Sequence, residues 1–459
     1  MMGTRRSVQF GDVITGMLVD GVDGTPYVAA TLLVDEQLGV RLEVPYITTS
    51  DTAAGETPGE WFETKCPPKN LLLIALEGNI SLFDCRYSGH TVRHPAGIAV
   101  GKITPADVVL QDRKGDHSDP LEVKELRSDI DGLTEWTGFT AITRHPSVDD
   151  ENRVKKLDIE LRTTDELIWT QGQADMALRT TWSCDSTAEG LTINEGVMLH
   201  STFPAPVPVL THLEEHRKVA SLMTFIFGCP ITWRSHSVRD QRFTEKRFSQ
   251  LIKQNTVKEA ARPDPTEKQL RHPLASPSQI GSSGLEAWAA SYETWGRFIH
   301  PAVSALNSPR TTLENVVVNA AVSMEAAGHL IGEVDGENAT YDRRRRKTTA
   351  TFIYRCLART GWDWSGICES RVGLARALAK NYNTIKHYGR GDFPDPLETY
   401  LVSSTATLVV RLLAIRQAAP DATSEFDSGR HFPAYGRLVE DFKNNGLFIK
   451  CDGLFAVSS

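Results

Sequence analysis

The chain has 459 residues and a mass of 50.8 kDa, with 40% hydrophobic and 24% charged residues. That length predicts two or three domains, and that composition excludes disordered, collagenous and low-complexity classes. The net charge of −8 argues against general nucleic-acid coating, yet residues 341–390 hold 12 Lys/Arg against three acids, a local +9 that leaves −17 for the remainder and points to a localised anionic partner.

The opening MMGTRRSVQFGD has two arginines but no apolar stretch after them, so no signal peptide is expected. No run approaches the ~18 apolar residues of a membrane span. Seven cysteines form no CxxC pair, so the expectation is reduced thiols in a soluble cytoplasmic protein. The first 200 residues read as short strands separated by turns such as DGVDG, SDTAAGETPGE and CPPKN. In KKLDIELRT (155–163), Leu157, Ile159 and Leu161 alternate with charged residues, the period of a half-buried strand. GVRLEVPYI, NISLFDC and GLTINEGVML are further strands, and together they predict an antiparallel sandwich or barrel-like domain.

From 208 the period becomes helical. Thr211-x-x-Glu214 reads as a capping box, with Gly228 and Pro230 as a stop signal. A strand ITWRSHSV follows, then a polar, Pro/Ser-rich stretch (251–284) expected to be a linker or surface excursion. Leu285, Trp288, Tyr292, Trp295 and Ile299 form one helical stripe, and Leu313, Val317, Ala320, Met324, Ala327 and Ile331 belong to a second. Helices are expected over 344–360, 366–388 and 397–417, packed as an all-α bundle. The fold class is therefore α+β multidomain: a β-rich domain over 1–250, the linker, and a helical domain over 285–459.

Three constellations could carry chemistry. His212-Leu-Glu-Glu-His216 matches H-x-x-E-H, which would make His212 and His216 zinc ligands and Glu215 a general base. The bland reading is a solvated helix start, favoured because the helix dipole there opposes a cation. The basic run Arg343, Arg344, Arg345, Arg346 and Lys347 is either a solvated patch or a phosphate contact. The third is ARALAKNYNTIKHYGRGD (375–392). On a helix, Leu374, Leu378, Tyr382 and Ile385 share a core stripe, while Arg376, Lys380, Asn383 and His387 fall within about 40° on nearly the opposite face. Cations can hold phosphate oxygens there, the amide can orient, and an imidazole can move a proton near neutral pH.

That segment resembles the R-x(4–6)-H signature of HEPN domains, which are all-helical RNase domains. Asn383 and His387 match, the arginine position carries Tyr382, and with a longer spacer Lys380-Asn381 stands in for the Arg-Asn pair. With GLTEWTGF (132–139) in a β-rich half and LENVVVNAAVSMEA (313–326) in a helical half, the layout resembles ApeA, bacterial anti-phage defence proteins that join an ApeA N-terminal domain to a HEPN domain. The resemblance implies abortive infection by a homodimeric, metal- and cofactor-independent endoribonuclease acting on RNA, tRNA among the candidates, after a phage-derived trigger. It implies catalytic roles for His387, Lys380, Asn383, Asn381 and Arg376. RNA contacts would come from the 343–347 run, Lys386 and Arg390. A catalytically inactive HEPN binding module is the second reading and the zinc hydrolase the third.

Overall fold

The computed structural model describes residues 7–22, 27–48, 56–93, 97–113, 119–186, 190–308, 311–387, 393–419 and 433–457. Among them, the strands of the first half build one 14-stranded antiparallel sheet. From one edge it runs Asp165–Gln171, Ala174–Ser186, Leu191–Pro208, Glu122–Ile130, Trp233–Arg239 and Ser249–Lys253. It continues through Asp107–Val109, Ile80–Phe83, Leu71–Ala75 and Val13–Val19, and ends with Val28–Asp35, Gly39–Ile47, Ile98–Thr104 and Arg86–Arg93.

The middle of this sheet separates two apolar cores. Val108 and Ile252 belong to one, their neighbours Val109 and Leu251 to the other, because successive strand side chains point to opposite faces. The first core is made by the N-terminal strands around Leu18, Leu42, Phe62 and Ile103. The second runs without a break from the sheet into the helices. Phe225 of the helix Val209–Phe227 stacks on Phe298 at 5.8 Å and meets Trp288 edge-on at 5.9 Å. Arg411, on the helix Pro396–Ala418, donates to the carbonyls of Phe225 (2.9 Å) and Ile226 (2.8 Å). It thereby gives the Phe225 carbonyl a partner at the helix end, while the Ile226 carbonyl also accepts from the Leu274 N–H at 2.9 Å. That end turns at Gly228 (φ 69°), where any Cβ would run into the Arg411 guanidinium. The two halves thus share one interior.

The α+β architecture matches the sequence expectation, and several details differ. KKLDIELRT forms Val154–Leu161, but it pairs only with Ile142–Val148 in a separate hairpin. Leu157 and Ile159 remain 49% and 43% exposed, because alternation marks a face and not what covers it. Residues 251–284, expected as a linker or surface excursion, hold part of a central strand, the helix Gln254–Ala260 and the start of Pro277–Ser291. They also bury Leu270, Leu274 and Ile280. The Thr211 capping box does not form, since the helix begins two residues earlier at Val209 after Pro208. The single stripe from Leu285 to Ile299 is two helices, Pro277–Ser291 and Gly296–Leu306. The helix Pro396–Ala418 is long and apolar enough to cross a membrane by length and composition, but 72% of its apolar window is buried inside the protein.

Candidate functional site

The segment 375–392 enters the structure on the helix Arg371–Lys386. Ser370 caps it, its side chain accepting from the Gly373 N–H at 3.1 Å. Leu374, Leu378 and Tyr382 are buried as their spacing predicts, and Ile385 is half-buried. Gly373 lies against the Lys450 carbonyl with no room for a Cβ, so the C-terminal hairpin (Leu447–Ile449 with Phe455–Val457) fixes the helix from one side.

The opposite face opens on a groove of ≈ 430 Å3 lined by Arg376, Lys380, Asn383 and Thr384, with Thr340 and Thr348 across from them. Arg376 is held in place by donating to Ala339 O (2.7 Å) and Cys451 O (3.4 Å). Lys380 is exposed. Its nearby acid is Glu398, whose carboxyl is pushed up first by burial and then by Asp395. His387 follows the last helical turn, exposed, its backbone N–H donating to Asn383 O at 3.1 Å.

Residues 343–347 leave the far wall as a turn, not as the start of the expected 344–360 helix, which begins at Thr349. Arg345 takes a left-handed backbone (φ 56°) that a helix cannot accommodate. Asp342 organises the turn by accepting from the Arg344 and Arg346 N–H groups (2.8 Å each) and from Arg346 Nε (2.8 Å). These donors hold its carboxyl below the ordinary range. Lys347 reaches Glu333 at 2.6 Å, and Arg343, Arg344 and Arg345 are exposed.

Beneath the turn, Arg355 donates twice to Glu337, at 2.6 and 2.8 Å. Glu337 also accepts from Tyr341 (2.7 Å) and the Val334 N–H (3.0 Å). The Arg355 bonds chiefly hold its carboxyl at about 2. Arg355→Ala would strand a buried carboxylate, and the expected cost is about 3–5 kcal/mol, read as a lower denaturant midpoint. An unchanged midpoint would contradict this role.

Not every expected residue reaches the groove. Asn381 is 5% exposed and turns inward, donating to Thr399 Oγ1 at 3.0 Å. It points that way because it follows the buried row of Leu374 and Leu378. Lys386 folds back, donating to Tyr382 OH at 3.0 Å with its ammonium 5.2 Å from that ring. That hydrogen bond raises its pKa. Arg390 lies outside the described residues. Sequence reasoning missed Thr384 on the motif helix itself and the facing threonines Thr340 and Thr348, which only the folded chain brings to Arg376 and Lys380.

His212 and His216 are neither metal ligands nor solvated: both are 0% exposed. Among the described residues, no group of three or more His, Cys, Asp or Glu is placed to hold a metal. They lie in a buried hydrogen-bonded chain whose proton order follows from one end. The Val123 carbonyl can only accept, so His212 Nε2 donates to it (3.0 Å). His212 Nδ1 then accepts from Ser201 (2.7 Å), and Ser201 accepts from His216 Nε2 (2.8 Å). His216 Nδ1 accepts from Ser128 (2.8 Å), which accepts from His236 Nδ1 (2.8 Å). His236 Nε2 is left to accept from Thr256 Oγ1 at 3.1 Å. All three imidazoles are neutral in this order. Burial is the main cause that pushes His212 down to about 4, His236 to about 3 and His216 well below its ordinary value. Glu215, the would-be base, is tied to Gln171 (2.7 Å) and Lys218 (2.8 Å).

Compared with known proteins, residues 22–289 match the family model described as ApeA N-terminal domain 1. The match covers every strand of the sheet except Val13–Val19, the buried histidine chain and most of the helix Pro277–Ser291. No curated protein and no solved structure matches the chain.

Proposed function

The chain belongs to the ApeA N-terminal domain 1 family, and from that premise we propose an anti-phage defence protein whose helical half is a metal-independent HEPN-type endoribonuclease. The observation that carries the reading is the groove, where Arg376, Lys380 and Asn383 line one wall; His387 caps the same helix just past the lining residues, and Arg343, Arg344 and Arg345 are exposed on the turn that precedes Thr348 of the far wall.

RNA supplies its own nucleophile, the 2′-OH. Its oxygen forms a bond to the adjacent phosphorus as the bond to the 5′-oxygen breaks, giving a 2′,3′-cyclic phosphate and a 5′-OH. His387 transfers a proton, Lys380 neutralises charge on the phosphate oxygens, Asn383 orients, and Arg376 shapes the wall. The exposed arginines hold the strand through its backbone, so binding weakens as salt rises. The catalytically inactive binding module stays as the second reading, favoured by one observation: the motif's arginine position is Tyr382, buried and without a charge of its own.

Purified full chain is expected to cleave RNA undiminished in EDTA and to leave cyclic-phosphate and 5′-OH ends. Cleavage lost in EDTA and restored by zinc or magnesium would contradict the reading. One motif helix offers one histidine and few cations, so two copies facing each other through the helical half are expected. Light scattering should show a homodimer or larger assembly, and an active monomer at working concentration would contradict this.

A further inference from the structure

The buried histidine chain ends at a second cavity, far from the groove in sequence and independent of the RNase reading. It measures ≈ 380 Å3, within the range of small-molecule sites, and lies where the two cores approach each other. Val8, Phe10 and Val34 come from the first core's side, Trp233 and Leu251 from the second's, and His236 and Thr256 are the polar end. The wall is braced: Gln250 exchanges two hydrogen bonds with the Val8 backbone, both 2.9 Å.

Three features define what fits. Both cations at the rim are already neutralised, Lys253 by Asp107 at 2.8 Å and Arg234 by Asp131 at 2.6 and 2.8 Å. A charged ligand therefore finds no free counter-charge. The Thr256 hydroxyl hydrogen has acceptors in His236 Nε2 (3.1 Å) and the Lys253 carbonyl (3.3 Å), and with either one Thr256 Oγ1 offers lone pairs and asks for a donor from the ligand. The remaining wall mixes apolar and aromatic side chains with Gln9, Ser235 and Gln250, and Trp233 and Phe10 are available to a ring.

We propose that this cavity binds an uncharged heteroaromatic ligand bearing an N–H donor, of the nucleobase or nucleoside class, with Thr256 as its polar anchor. Such a site in the β-rich half would be separate from the RNA groove.

The test is thermal melting of the full chain with adenosine, guanosine, cytidine and uridine, run on wild type, Thr256→Val, Ala260→Phe and Lys380→Ala. At least one nucleoside should raise Tm in wild type and in Lys380→Ala, and should raise it by less than a quarter as much in Thr256→Val and Ala260→Phe. Thr256→Val removes the acceptor at nearly constant volume, and Ala260→Phe fills the cavity, so the two report by different routes. No shift with any of the four nucleosides would overturn the proposal. So would a shift that survives both cavity variants, or one lost only in Lys380→Ala, which would place binding in the groove.

Discussion

Lowering the pH from 7 to 5 is expected to destabilise the fold steeply, well before the carboxylates of an ordinary protein titrate. His212 and His236 are held at about 4 and about 3, and His216 lower than its ordinary value, chiefly by burial. His200 is also held at about 3, by burial and then Arg179 and Arg127. All four have an ordinary value of 6.5. Below 6.5 the unfolded chain binds protons at these sites and the folded chain does not. Their contribution is thus fully present above 6.5 and is lost as pH falls towards 4 and 3. Asp129 has the opposite sign. Burial lifts it to about 6 from 3.8, so the folded chain binds its proton first and acid stabilises that site. Each group weighs ~1.4 kcal/mol per pH unit; the Glu125 carboxylate 3.3 Å from His200 favours that ring's charged form, so the three histidines of the chain less Asp129 come to ~3 kcal/mol per unit at the steepest. Against a typical stability of about 5–15 kcal/mol, unfolding should set in at about pH 5 or below, with Tm already falling above that. Tm measured at pH 7.5, 6 and 5 would show it, and a flat Tm across that range would contradict the neutral buried chain.

The histidine chain also shows where the sequence stopped being legible. The i, i+4 spacing of His212 and His216 correctly placed them on one helix face. Spacing cannot say whether that face meets water, a metal or a sheet, and the partners Ser128, Ser201 and Val123 are distant in sequence. Thr211 and Glu214 looked like a cap because the strand Leu191–Pro208 that runs straight into the helix leaves no turn to mark the start. Pro and Ser density made 251–284 look solvated, but Leu270, Leu274 and Ile280 are few, and they are buried by surfaces from elsewhere in the chain. By contrast, the helix Arg371–Lys386 was legible in detail. Its apolar residues recur at helical spacing, and Arg376, Lys380 and Asn383 emerge on one groove as that period requires, whereas His387, expected on the same face, lies past the last helical residue in extended backbone (φ −117°, ψ 99°) and is not among the groove's lining residues. Asn381 was misplaced by one helical position's worth of rotation, 100° from a neighbour that does face solvent. The final helix Pro433–Asn444 and the hairpin after it went unnoticed, although Gly373 and Gly453 pack tightly against that hairpin's and the motif helix's backbones.

His387→Ala is the second large effect expected. The side chain lies outside the helix and in water, so its loss should leave no cavity and change stability by no more than about 0.5 kcal/mol. A positioned proton-transfer group is typically worth about 10²–10⁴ in rate, so cleavage should fall by at least 100-fold with Tm unchanged. Tyr382→Ala is the matched control. It empties a site 2% exposed and frees Lys386, so it should lower stability by about 3–5 kcal/mol whatever its effect on rate. The deciding measurement is the rate of RNA cleavage by purified wild type and His387→Ala, in EDTA, beside a melting curve of each. The account predicts cleavage by wild type and at least a 100-fold lower rate for a variant that melts at the same temperature. Equal cleavage by the two proteins, or none by wild type even with extract of phage-infected cells added as the trigger, would contradict it.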